Sequence, residues 1–191
     1  MSVVSQHRKP VVMLMATVTL VAGGCSHSAR ATPKPSPSPS ATALPPSASP
    51  TPDEAAVAAG QAIAAYRATY GDVATAAARG SHTDPVLGRH AIGQAKTLLA
   101  QSAYFYVGQN VVPRGLPGLR IEVATLAFDA NPQTAILKTC VDGRRQLLVD
   151  RKSGRPVSGF TAKPQPETDF LRVYAGRWMV EGIKTDPKRT C

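Results

Sequence analysis

Nine of the seventeen prolines fall between Pro10 and Pro52, and this crowding sets what the chain can fold into. Proline fixes φ and removes a backbone donor, so so dense a stretch suits neither a helix interior nor a central strand. The 191 residues therefore divide into an N-terminal part unable to build a core and a C-terminal part, 53–191, of common single-domain size. Residues 26–52 are mostly Pro, Ser, Ala and Thr, densest at Pro33-Lys34-Pro35-Ser36-Pro37-Ser38-Pro39. Such a segment cannot offset its ordering entropy and is biased to extended polyproline II. At about 3.1 Å per residue it could span on the order of 80 Å. We read it as a plain tether; the alternatives are a recognition site for a Pro-binding module and an O-glycosylated stalk.

Ahead of the tether, His7, Arg8 and Lys9 make a positive n-region before the weakly polar to apolar run Val11–Ala22. Twelve residues match a signal-peptide h-region and are too few to span a bilayer. The run ends in Val21-Ala22-Gly23-Gly24-Cys25, which resembles a bacterial lipobox with Ala22 in the usual leucine position. The expectation is a lipoprotein signal peptide over 1–24 and lipidation at Cys25, with two acyl chains giving stable anchoring. That would put the protein on the extracytoplasmic face of a bacterial cell membrane. The competing reading is ordinary secretion with cleavage after Ala29-Arg30-Ala31.

In the folded part, Pro52-Asp53-Glu54 places acids at the positive end of a helix. Ala59, Ile63, Tyr66, Tyr70, Val73 and Ala77 recur at helical spacing until Gly80 stops the pattern. Asp84 as N-cap and Pro85 as first helical residue start a second helix, carried by Leu87, Ala91, Ala95, Leu98 and Leu99 to about Tyr106. From Val111 the period changes to two. Strands are expected at Leu119–Phe128, Thr134–Val141, Arg145–Val149, Asp169–Tyr174 and Trp178–Lys184, separated by turn-like segments. The short gaps favour antiparallel hairpins, because a parallel crossover needs a dozen or more residues. The fold class is α+β, with helices covering one face of a curved antiparallel sheet.

Several short pieces occur in a telling order. They are Tyr66-Arg67-Ala68-Thr69-Tyr70, Asp84-Pro85-Val86-Leu87, Val112-Pro113-Arg114-Gly115-Leu116-Pro117, Thr139-Cys140-Val141-Asp142, Arg177-Trp178-Met179-Val180 and Thr190-Cys191. The succession resembles the small secreted NTF2-like lipoproteins of high-GC Gram-positive bacteria, over about residues 55–191. The resemblance implies a cone, with N-terminal helices packed inside a strongly curved antiparallel sheet, often around a pocket. It implies no single activity, since such folds serve as dehydratases, isomerases, cyclases and binding modules. His90 departs from the family, whose members tend to carry Tyr there, and the turn before the Trp strand is shorter.

Three cysteines and four histidines leave no room for a Cys-rich metal scaffold, and no metal or other cofactor is expected. With Cys25 lipidated, Cys140 and Cys191 remain in an oxidising compartment, so a disulfide is expected. Its alternative, a nucleophilic Cys140, lacks any following His as base. His82, Asp84, His90, Tyr66 and Tyr70 could supply an acid/base set, against a plainer reading as loop, cap and helix-surface residues. Tyr66, Tyr70, Tyr104, Tyr106 and Trp178 are the candidate lining of a pocket for an apolar or planar ligand, or simply core.

Charge is asymmetric. Residues 53–137 hold six basic and six acidic side chains, whereas 138–191 hold twelve basic and six acidic. Arg144, Arg145, Arg151, Lys152 and Arg155 form a candidate surface for anionic lipid or wall polymer, or a solvated face. Nucleic acid fits poorly, because no aromatics interleave with the cations. Two function classes follow: a non-enzymatic envelope lipoprotein binding a ligand, wall polymer or envelope protein, and a hydrolyase- or isomerase-like enzyme using the cone. Self-pairing through the sheet face, giving a homodimer, is a further expectation.

Overall fold

The computed structural model describes residues 52–158 and 163–191. The expected signal peptide, Cys25 and the expected tether up to residue 51 lie outside the described residues. Helix α1 runs Pro52–Arg79 with Asp53 and Glu54 in its first turn and Arg79 in its last, complementing the macrodipole at both ends. Its buried face reads Ala58, Ala62, Ala65, Tyr66, Thr69, Val73, Ala76 and Ala77. The small residues let the helix axis lie close to the sheet, and Tyr66 is its one large buried side chain. Gly80, at φ +69°, ends the helix: its N–H bonds Ala77 O at 3.0 Å while Ser81 N–H bonds Ala76 O at 3.0 Å. A Cβ at Gly80 would also displace the Arg151 guanidinium, but the positive φ is what calls for glycine here.

Asp84 does cap a helical turn, accepting from Val86 N–H at 2.9 Å, but that turn is a 3₁₀ helix covering only Pro85–Gly88. The single helix expected from Asp84 to Tyr106 is broken. The chain from His90 to Ile92 is extended and bridges Val180: Val180 N–H donates to His90 O and Ile92 N–H to Val180 O, both at 2.8 Å. Helix α2, Gly93–Gly108, starts only after that contact. The helical spacing of Leu87, Ala91 and Ala95 continues across the break, so local pattern alone hides it. Unpaired backbone groups on a sheet edge outweighed a helical turn.

Among the described residues six strands follow: β1 (Val111–Arg114), β2 (Gly118–Ala127), β3 (Thr134–Asp142), β4 (Leu147–Asp150), β5 (Gln165–Tyr174) and β6 (Arg177–Thr185). The main sheet is an antiparallel meander in the order β2-β3-β5-β6, and β1 pairs with β4 in a separate antiparallel ribbon. The strand expected at Arg145–Val149 is shorter and later, since Gly143–Arg145 forms a 3₁₀ turn capped by Asp142. Ala175 and Gly176, at φ 49° and 74°, make the tight turn between β5 and β6, whose twist suits a two-residue hairpin.

Both outer strands of the meander carry a bulge. The register shifts between Val123 and Thr125 on β2, opposite Leu137 and Ile136, and between Val180 and Gly182 on β6, opposite Leu171 and Phe170. Because Ile136 pairs with Phe170, the two irregularities lie at the same level of the sheet. An extra residue on each outer strand bends the sheet there. The bend turns one face towards α1 and α2, where Leu137, Leu171, Trp178 and Val180 meet Ala62, Tyr66, Leu87, Ala95 and Leu99. The observed architecture is α+β, two helices packed on one face of an antiparallel sheet.

Candidate functional site

Alternation along β5 places Glu167, Asp169 and Leu171 on the helix-facing side of the sheet. Two of those three positions are acidic, which is unusual for a face that forms the core. Tyr66, one helical turn before Tyr70, reaches down from α1 and meets the first of them. Tyr66 Oη lies 3.0 Å from Glu167 Oε2 and 3.0 Å from Tyr70 Oη, with the two rings edge-on at 5.7 Å. A phenol has one proton. If Tyr66 donates to the carboxylate, Tyr70 donates to Tyr66, giving a directed chain Tyr70→Tyr66→Glu167. Thr185 Oγ1, the cross-strand neighbour of Glu167, lies 3.4 Å from Oε1.

Asp169 has no exposed surface. Thr139 Oγ1 donates to its Oδ2 at 2.7 Å, and its Oδ1 has no hydrogen-bond partner among the described residues. Burial, with the nearby Glu167 charge adding to it, pushes the Asp169 carboxyl up to about 7, against the pull of the Thr139 hydrogen bond. Burial raises Glu167 too, although its bonds from Tyr66 and Thr185 favour the charged form. Tyr66 and Tyr70 are held protonated, first by burial and then by neighbouring groups including Glu167.

Beside this cluster is a cavity of about 470 Å³, between α1, α2 and the sheet. Tyr66, Tyr70, Phe105 and Tyr106 supply aromatic wall, Leu98 and Ile183 aliphatic wall, and Glu167 the only charge among the described residues. A volume of this order suits a small molecule. Of the five aromatic residues expected to line a pocket, Tyr66, Tyr70 and Tyr106 do so. Tyr104 does not: it is 64% exposed on the outer face of α2, edge-on to His82 at 5.1 Å. Trp178 does not line this cavity either; it is buried core on β6.

The histidines stand elsewhere. His90 Nδ1 pairs with Asp72 Oδ2 at 2.8 Å, and Asp84 serves as cap and partner of Arg79 at 3.2 Å. The acid/base set drawn from His82, Asp84, His90 and the two tyrosines is therefore not assembled, and only the tyrosines reach the cavity. Glu167 and Asp169, absent from that set, are the acids that do cluster with them. Their signal was an acid in phase with the apolar face of a strand, masked because the strand was expected to begin at Asp169 behind Pro164 and Pro166.

Cys140 and Cys191 form a disulfide, with Cα atoms 5.9 Å apart. Cys140 lies on the outer face of β3, away from the helices. Arg120 Nη2 donates to Cys191 O at 2.6 Å, so the terminal segment is held by a covalent and a polar contact together.

The five basic residues expected to form a surface lie on the turns either side of β4. Arg144 is clamped on Asp142, Nε to Oδ1 at 2.8 Å and Nη2 to Oδ2 at 3.0 Å, and Arg145 packs its stem by Gly118. Arg151 donates to Asn110 Oδ1 at 3.2 Å, with Lys152 and Arg155 exposed in the turn beyond β4. Another cationic set lines an open groove of about 820 Å³ on the outer sheet face: Arg120, Lys138, Lys184, Lys188 and Arg189, with the acidic residues Glu122, Glu167 and Asp186 among them. Among the described residues, no group of three or more His, Cys, Asp or Glu side chains is placed to hold a metal ion, and no helix is long and apolar enough to cross a membrane.

No family model and no curated protein matches the chain. Among solved structures, it is similar to the intermembrane-space region of the chloroplast protein ARC6, at 11% identity and TM-score 0.39, over 68% of this chain and 95% of that one. It is also similar to a domain of unknown function with a cystatin-like fold from Nostoc punctiforme, at 14% identity and TM-score 0.36, over 67% and 78%. Neither likeness bears on activity, which rests on the site itself.

Proposed function

We propose that this is a cell-envelope lipoprotein, anchored through Cys25 on the extracytoplasmic face of a bacterial membrane, whose NTF2-like domain binds a small molecule without transforming it. The observation that carries the binding role is the cavity of about 470 Å³ with aromatic walls and one charged group. A pocket of mostly apolar walls and few polar groups fixes a ligand's orientation by those few contacts. The lipobox at Val21–Cys25 and the Pro-rich segment after it support the anchoring and the tether. The cationic groove on the outer sheet face supports a secondary contact with an anionic wall polymer, or with an envelope protein. It disfavours a homodimer through that face, because two copies would oppose like charges.

The anchoring is tested by Cys25→Ser in the producing cell. The variant should leave the membrane fraction for the soluble one, and its retention there would place the anchor elsewhere. Binding is tested by thermal-shift screening of the exported protein against small aromatic and aliphatic compounds. Failure of every compound that fits the cavity to raise Tm would remove the reading.

A second reading has one observation behind it, the buried Glu167 in hydrogen-bond reach of Tyr66. A carboxyl raised by burial is suited to general acid/base work in a hydrolyase or isomerase. Its two histidine candidates are engaged outside the cavity, which leaves that carboxyl without a complementary catalytic base or acid beyond tyrosines held protonated.

A further inference from the structure

We infer that the cavity takes an organic cation, with Glu167 as its counter-ion and the rings of Tyr70, Phe105 and Tyr106 as its walls. This rests on the reading of the domain as a ligand-binding module and names the chemistry of what it binds.

The first ground is a missing charge. Residues 53–191 carry eighteen Lys and Arg against twelve Asp and Glu, yet among the described residues no Lys, Arg or His lines the cavity. Glu167 lines it, and Asp169, two residues further along the same face of β5, is buried and does not. Asp169 is fully buried, and its Oδ1 is without a partner among the described residues. The nearest cation on β3, Lys138, points to the other sheet face and donates to Thr168 Oγ1 at 2.9 Å. Buried carboxylates are normally paired. Among the described residues no cationic side chain lines the cavity beside Glu167, so a cation for that carboxyl would have to arrive from outside.

The second ground is the direction of the hydrogen bonds. The groups around Glu167 are hydroxyls that can donate, Tyr66 at 3.0 Å and Thr185 at 3.4 Å, and Tyr70 can donate onward to Tyr66. A network of donors pointed at a carboxyl is arranged to accept negative charge on it. Each Glu167 oxygen keeps a further lone pair, so an ammonium can add to these bonds without breaking them.

The third ground is the wall. Aromatic faces carry negative charge density and attract cations, most strongly where water is excluded. An amine seated against Tyr70, Phe105 and Tyr106 would gain that attraction as well as the ion pair. A neutral molecule would gain only area.

The inference carries a linkage. The groups facing Glu167 are Tyr66 and Tyr70 from α1, Tyr106 from α2, Thr139 from β3, Asp169 from its own strand and Thr185 from β6. The tyrosines stay protonated, so the carboxyls are the groups that titrate. A cation should therefore bind more tightly as pH rises through their range, displacing a proton.

The test is isothermal titration of the full-length protein, in detergent, with phenethylamine and with its neutral counterpart 2-phenylethanol. At pH 7.5 the amine should bind about tenfold or more tightly than the alcohol. Its affinity should fall as the pH is lowered into the range where Glu167, raised by burial, takes up its proton, while the alcohol's stays level. Repeating the titration in two buffers of different ionisation enthalpy should reveal proton release on amine binding. Glu167→Gln should remove the amine's preference over the alcohol. The comparison of amine with alcohol on the unaltered protein stands even if that variant fails to fold. Equal or tighter binding of the alcohol would overturn the cation assignment while sparing the binding module. Binding of neither would overturn both.

Discussion

Replacing both Cys140 and Cys191 with serine is expected to lower stability by about 4 kcal/mol. The bridge spans a sequence separation of 51 residues. In the chain-entropy account, closing a loop of that size removes about this much freedom from the unfolded ensemble. The loop includes β4, β5 and β6, so the constraint acts on half of the main sheet. For a domain of this size the loss corresponds to a fall in Tm of about 10–20 °C. Thermal melts of oxidised protein, reduced protein and the double variant check it. Reduced protein and the variant should melt together, well below the oxidised form. A variant melting within a few degrees of the oxidised parent would show that Arg120 and the strand pairing hold the terminal segment unaided.

Changing Asp169→Asn should make the protein less sensitive to pH and more stable in mild base. The Asp169 carboxyl is raised by burial from 3.8 to about 7. Its neutral form is the one the fold accepts. Its contribution is therefore complete below about pH 4 and is lost as pH rises through about 7, since the unfolded chain then binds fewer protons than the native one. At about 1.4 kcal/mol per unit, the loss across that window is on the order of 4 kcal/mol. Asparagine carries no charge and can still accept the Thr139 hydroxyl, at the cost of a buried N–H₂ group short of acceptors. We expect a net gain of about 1–3 kcal/mol at pH 8 and no gain, or a small loss, at pH 4.5. Urea unfolding at the two pH values decides. Parallel pH dependence in parent and variant would mean that Asp169 is not the group whose ionisation the fold resists. Glu167, raised by burial in the same direction, should leave a residual slope in the variant.

How legible all this was varies with the element. Helix α1 was readable to within a residue, because its acids, its 3.6-residue period and Gly80 all speak locally. Strands β2, β3 and β6 were readable from alternation and turn residues. Strand β1 was not, since four residues that include Pro113 look like loop until Leu148 and Val149 are found beside them. The break between the 3₁₀ turn and α2 was hidden for a related reason: its cause is a hydrogen-bonding need on β6, nearly ninety residues away. The disulfide followed from thiol arithmetic, which needs no geometry. The acid cluster was lost for want of one strand boundary. With β5 beginning at Gln165 instead of Asp169, Glu167 joins Asp169, Leu171 and Val173 on one face, and two acids in a core stripe become conspicuous.

The bulges and the His90–Gln94 segment also decide how this sheet meets other chains. An open meander has two free edges, each a template on which a foreign strand can grow. Along β6 that template is already occupied. Val180 is bonded on both sides by the backbone of His90 and Ile92, and Gln94 takes the Ile183 N–H and C=O at 2.9 and 3.0 Å, much as a neighbouring strand would. Along β2 the edge is interrupted at Ala124, between two charged outward residues, Arg120 and Glu122, and the end of the strand. A chain held to a surface meets its own copies at raised local concentration, where edge-to-edge growth is a standing hazard. Here one edge is plugged by a segment that gave up being helix, and the other is put out of register, so crowding at a surface need not seed fibrous assembly.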